Sequence, residues 1–181
     1  MHYTSRGALE RRHRLIILTD MENEPDDSQT MVRLLMYANE IDIEGLVAVG
    51  SRWLQTDVFP ESIHDRVKAY GVVLPNLRKH AAGWPTEDFL LSRIAGGQIG
   101  FGMDAVGEGR STTGSELIIR AVDKEDPRPV WVAINAGSNT LAQALWDVRD
   151  RRPTAEVRKF VAKIRVYDDS GQDNAGRSEE R

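Results

Sequence analysis

Two short apolar runs a dozen helical residues apart constrain this chain more than anything else in it. Leu15-Ile16-Ile17-Leu18 is followed by Met31, Leu34, Leu35 and Ala38 at helical spacing, then by the β-branched run Ile43 to Gly50. A brief apolar run bounded by turn residues reads as a buried strand, and a three- and four-residue spacing as an amphipathic helix. Strand, helix and strand with so short a connection form a βαβ crossover, which places the two strands parallel and, by the usual rule, right-handed. Parallel strands are covered on both faces, so the fold class follows: α/β, an open, mostly parallel sheet with helices on both faces. In such sheets ligands bind outside the carboxyl ends of the strands.

The first strand ends in an unusual way. Asp20, Glu22, Glu24, Asp26 and Asp27 place five carboxylates within eight positions, with no basic residue among them. Carboxylates held close together raise one another's pKa unless a proton or a cation compensates. Oxygen-only donors suit Ca²⁺ or Mg²⁺. A blander reading stands beside this one: after Pro25, Asp26, Asp27 or Ser28 caps the next helix, whose dipole favours negative charge, and the other acids are solvated.

Further along, Phe59 to Val73 carries Ile63, Val67 and Tyr70 at helical spacing, and Pro75-Asn76 is expected to break that element. Thr86 to Ile94 reads as a helix capped by Thr86. Ala95 to Thr113 holds six glycines and reads as a long loop on the rim of a site. Without Gly-Lys-Ser or Gly-Lys-Thr, its phosphate-loop reading is weak. Ser115 to Val122 resumes a helix. Pro129 to Asn135 reads as a strand ending in small and polar residues, Leu141 to Val148 as the helix behind it, and Phe160 to Tyr167 as a fourth strand. Asn139 or Thr140 is a natural cap for the Leu141 helix. Asn135 and Asn139 would also reach sugar hydroxyls from the sheet edge that carries the acids. Met1 to Arg14 reads as a flexible arm with a solvated basic flank, and neither His13 nor His64 has an evident partner role.

Net charge of −4 gives no reason to expect nucleic acid. No apolar run approaches the ~20 residues of a bilayer span. The polar N-terminus has no signal-peptide core and Cys is absent, which points weakly to a cytoplasmic protein. The last strand has no helix after it, so the sequence reads as the N-terminal part of a domain, 15–181, with an exposed edge through which homo-oligomers can form.

Several separate segments resemble one family. Thr19-Asp20-Met21-Glu22-Asn23-Glu24-Pro25-Asp26-Asp27 is similar to the Asp-x-Asp-x-Gly-x-Asp-Asp signature of the nucleoside hydrolase superfamily. Asp42 to Leu46, Gly114 to Ile119, Asn139 to Leu145, Arg165 to Tyr167 and Gly171 to Asp173 more closely resemble its nucleoside hydrolase-like members of unknown function, once labelled cellulose-binding. The resemblance implies Ca²⁺, with Mg²⁺ the lesser candidate, held by Asp20, Glu22 and Asp27 and by a backbone carbonyl near Asn139. It implies sugar contacts from Asp26. By their places at the strand ends, Asn135, Asn139, Gln172 and Asp173 are further substrate-binding candidates. Glu22, with Asp20, would be the base that activates water. Two departures stand out. Glu22 replaces Asp and is one methylene longer, and Glu24 replaces the turn glycine. The family's late aspartate and its leaving-group histidine fall beyond Arg181.

The function expected is a metal-dependent hydrolase of glycosidic or N-glycosidic bonds acting on a sugar or nucleoside-like small molecule. Its oxocarbenium-like transition state needs a base for water and groups that hold ring hydroxyls. The alternative is a non-catalytic carbohydrate-binding domain that keeps the fold. A Mg²⁺ phosphohydrolase is weaker, because no Lys or Arg lies in the acidic loop.

Overall fold

The structure, a computed structural model, describes residues 12–169 and 173–175. Five parallel strands form one sheet in the order β3-β2-β1-β4-β5, with β1 at His13–Thr19, β2 at Ile41–Ala48, β3 at Ile94–Gly96, β4 at Val130–Ile134 and β5 at Ile164–Asp168. Six α-helices connect them: α1 (Pro25–Leu35), α2 (Pro60–His80), α3 (Glu87–Leu91), α4 (Thr113–Asp123), α5 (Asn139–Arg151) and α6 (Thr154–Ala162).

Alternation along each strand divides the core in two. Ile16, Leu18, Val130, Val132 and Ile134 face Leu117, Ile118, Leu141 and Phe160 from α4, α5 and α6. Ile17, Ile43 and Leu46 face Met31, Leu35, Ile63, Val67 and Leu90 from α1, α2 and α3. Helices therefore cover both faces, and α/β with a parallel sheet is the architecture. The strand order reverses at β1: β2 and β3 lie to one side, β4 and β5 to the other. The crevice between β1 and β4 is thus a topological switch point, where ligands of open α/β sheets bind.

Five local expectations need correction. Phe160 does not begin a strand; it lies in the last turn of α6, and β5 starts at Ile164. Its apolar neighbour Val161 made the end of a helix look like the start of a strand. Pro75 lies inside α2 and does not end it. A proline there removes one helical hydrogen bond, on a stretch where Val72 and Val73 are exposed. Ile94 is not helical but opens β3; α3 ends at Leu91, with Thr86 accepting from the Phe89 amide at 3.1 Å as its cap. The Gly-rich loop is interrupted by a 3₁₀ turn at Gly102–Ala105.

The fifth concerns the basic flank. Arg14 is fully buried in β1. Its Nε donates to Glu44 at 2.8 Å and its Nη2 to the Ala121 carbonyl at 2.6 Å. Lys124 pairs with the same Glu44. Burial alone would raise the Glu44 carboxyl, but the hydrogen bonds from Lys124 and Arg14 outweigh it and hold Glu44 below the usual carboxylate range. A charge in that position survives only because it is fully partnered. His13 remains exposed, edge-on to Trp131 with ring centroids 6.2 Å apart. The arm at positions 1–11 lies outside the described residues.

Candidate functional site

At the carboxyl end of β1 the chain turns sharply before α1. The turn is closed by the Asn23 amide donating to the Asp20 carbonyl at 3.1 Å, and by Asn23 Nδ2 donating to Asp20 Oδ2 at 2.9 Å. Glu22, within this turn, has φ of +73° and is the non-glycine residue in the left-handed region among those described. That conformation costs a side-chain-bearing residue roughly 1–2 kcal/mol. Pro25 opens α1, with Asp26 and Asp27 in its first turn. The helix dipole there favours both acids.

Asp20 and Asp27 are both buried, and the two carboxyls lie within hydrogen-bonding range of each other. The Thr19 hydroxyl donates to Asp27. Burial first, then the charge and contact of Asp20 and the charge of Asp26, outweigh that hydroxyl and push Asp27 up to about 7. These acids form one wall of a cavity of about 370 Å³, lined also by Asn23, Glu24, Thr30, Asn135, Tyr167 and Asp169. Its walls come from the ends of β1, β4 and β5. The cavity sits at the switch point, and its volume is in the range of small-molecule sites.

Several expected site residues meet here and others do not. Asp20, Asp26, Asp27 and Asn135 converge on the cavity. Glu22 does not line it: its carboxylate accepts from the Ser62 hydroxyl and pairs with Arg66 Nη2 at 3.5 Å. Asn139 is fully buried at the start of α5, where Nδ2 donates to the Gly100 carbonyl at 3.1 Å and Oδ1 has no donor among the described residues. Asp173 is occupied at the same helix start. It accepts from Ser138 Oγ at 2.7 Å, from the Asn139 amide at 3.1 Å and from the Ala175 amide at 2.8 Å. The cap of α5 is therefore a carboxylate from the far end of the chain, not Asn139 or Thr140. Gln172 lies outside the described residues.

Tyr167 and Asp169 were not singled out from the sequence. The signal for them was positional: they close the β5 strand next to β4, so parallel pairing delivers them to the same edge. Asp168 is raised as well, by burial and by the charges of Asp173 and Asp169.

A hard cation would need oxygen donors here. Asp20 and Asp27 are neighbouring buried carboxylates short of positive charge, which fits two positions in such an ion's shell. No group of three or more His, Cys, Asp or Glu converges to hold a metal among the described residues. The set of Asp20, Glu22 and Asp27 is thus not assembled as a triad. Water or ligand oxygens would complete the shell. Among the described residues no helix is long and apolar enough to cross a membrane.

A five-stranded parallel sheet with helices on both faces places the chain in the nucleoside hydrolase-like class. Residues 14–178 match the family described as "Cellulose-binding Sde182, nucleoside hydrolase-like domain", and the chain belongs to that family. It is also similar to a solved structure of a nucleoside hydrolase-related hypothetical protein from Saccharophagus degradans, described as associated with carbohydrate metabolism. The two are 48% identical with a TM-score of 0.87 over 91% of this chain and 40% of that one. The chain therefore spans less than half the length of that relative. No curated protein matches it.

Proposed function

We propose that this domain binds a sugar or nucleoside-like small molecule in the acidic cavity, with Asp20 and Asp27 holding a Ca²⁺ ion and Asp26 and Asn135 taking ring hydroxyls. The observation that carries this reading is the Asp20–Asp27 pair on the wall of a cavity at the switch point. Such a pair takes up either a proton or a cation. A bound Ca²⁺ would offer open coordination positions to a vicinal diol. Asn135 supplies a donor and an acceptor beside it. Mg²⁺ suits the pair less, because it gives up its water reluctantly. The solved relative's association with carbohydrate metabolism and the family's cellulose-binding label agree with a sugar ligand.

A second reading, hydrolysis of a glycosidic or N-glycosidic bond, is favoured by one observation. The Asp27 carboxyl at about 7 sits where a general base works best at neutral pH. Glu22, the residue aligned with the family's water-activating position, is engaged by α2 and supplies no base at the cavity. In the hydrolytic reading, Asp27 removes the proton from water when the pair holds no metal, and Asp26 does so when Ca²⁺ occupies Asp20 and Asp27.

Calorimetric titration separates the two. Ca²⁺ is titrated into the protein and into Asp27→Ala, and ribose and a nucleoside are added once metal is bound. Saturable Ca²⁺ uptake lost in the variant, followed by ligand uptake, supports the binding reading, and release of free sugar from the nucleoside supports hydrolysis. A folded protein that takes up neither metal nor sugar overturns both.

A further inference from the structure

One guanidinium grips the acidic loop on both sides. Arg66 Nη2 pairs with Glu22 Oε1 at 3.5 Å, before the Asp26-Asp27 pair, and donates to Ser28 Oγ at 2.9 Å, just after it. Arg66 Nη1 donates to the Ser62 carbonyl one helical turn back at 3.1 Å, which fixes the arginine on α2. The Ser62 hydroxyl donates to the same Glu22 carboxylate. Between these anchors the chain makes its left-handed step at Glu22 and enters α1 at Pro25. A residue with a side chain holds that conformation only when its surroundings over-determine it, and the surroundings here are Ser62 and Arg66.

We propose that Arg66, seated by Ser62, is a positioning residue that brackets the loop from Glu22 to Ser28 and so keeps Asp20 and Asp27 against one another. Glu22 serves this bracket as its anchor; it is not a ligand in the cavity. The consequence for ligand binding rests on the function proposed above, whereas the bracket itself does not. A pair whose side chains are 27% and 46% exposed contributes little as a salt bridge. Its effect is on geometry, because cation affinity depends on the placement of two carboxylates and a small displacement is enough to lose it.

The test uses the protein with Arg66→Ala, Arg66→Lys, Ser62→Ala and Glu22→Gln, read by amide hydrogen exchange without metal and by Ca²⁺ titration. In Arg66→Ala, exchange at the Asn23 amide rises by about tenfold or more while Ile17 in β1 is unchanged, and Ca²⁺ affinity falls by about tenfold. Ser62→Ala moves both in the same direction by less, and Arg66→Lys recovers part of each. Glu22→Gln still accepts from Ser62 and Arg66, so its Ca²⁺ affinity stays within about threefold of the parent. Unchanged Asn23 exchange in Arg66→Ala overturns the proposal, as does a rise shared equally by β1. A Glu22→Gln loss as large as that of Asp27→Ala also overturns it, because Glu22 would then be a ligand. If the parent protein takes up no Ca²⁺, the binding function fails and the exchange data alone decide the bracket.

Discussion

Replacing Asp27 by Asn isolates the electrostatic cost built into this site. Asp27 is pushed from 3.8 up to about 7 by burial and by Asp20 and Asp26. A carboxyl whose folded pKa lies above its unfolded value contributes stability that is full below about pH 4 and is lost as pH rises through about 7. Complete loss corresponds to about 4 kcal/mol. Water at the cavity wall screens some of this, so about 2 kcal/mol is the expected change. Asparagine mimics the protonated acid: its Oδ1 accepts from Thr19 and its Nδ2 donates to Asp20. The variant is therefore expected to unfold like the parent at pH 4 and, in metal-free buffer at pH 8, to be more stable by about 2 kcal/mol, roughly 4–8 °C in Tm for a domain of this size. Adding Ca²⁺ at pH 8 stabilises the parent and leaves the variant unmoved. Urea or thermal unfolding at the two pH values, with and without Ca²⁺, reads all of this. Equal effects of the substitution at pH 4 and pH 8, or a variant that is less stable at pH 8, would refute the reasoning.

Other outcomes follow from the same geometry. Arg14→Ala leaves the buried Glu44 with Lys124 as its remaining partner and is expected to cost about 1.5–3 kcal/mol, seen as a drop in urea midpoint. Gly114→Ala would place a Cβ 2.7 Å from Val47 Cγ1 and 3.0 Å from the Gly96 carbonyl, an overpacking expected to cost about 1–3 kcal/mol in chemical denaturation. Asn135→Ala is expected to weaken sugar uptake about tenfold while leaving Ca²⁺ uptake unchanged in the same calorimetric cell, because in the proposed function this cavity-lining amide takes a ring hydroxyl and not the metal.

What the sequence made legible divides along physical lines. The β1, β2 and β4 strands and the α1, α4 and α5 helices carry periodic apolar patterns long enough to read. The three residues of β3 carry no pattern, since Gly96 and Gly97 leave nothing to alternate. In α6, Phe160 and Val161 lead straight toward Ile164, and the helix boundary is set by packing of Phe160 against the core. Arg14 looked solvated because its partners, Glu44, Ala121 and Arg128, are contributed by distant parts of the chain. The acidic cluster marked a candidate site, and Asp20, Asp26, Asp27 and Asn135 line one cavity there. Local spacing could not show which way Glu22 points, because Ser62 and Arg66 sit forty and more residues away. Asp173 was likewise drawn to the α5 start by the Ser138 hydroxyl and the Asn139 amide, both far from it in sequence.

The central claim is that Asp20 and Asp27 form a cation-demanding pair, and the direct measurement is a carboxyl ¹³C NMR titration of Asp27 with and without Ca²⁺. The account predicts a midpoint near 7 without metal, falling below the ordinary carboxylate value when Ca²⁺ is present. A midpoint near 4 without metal, or one that Ca²⁺ does not move, would contradict it.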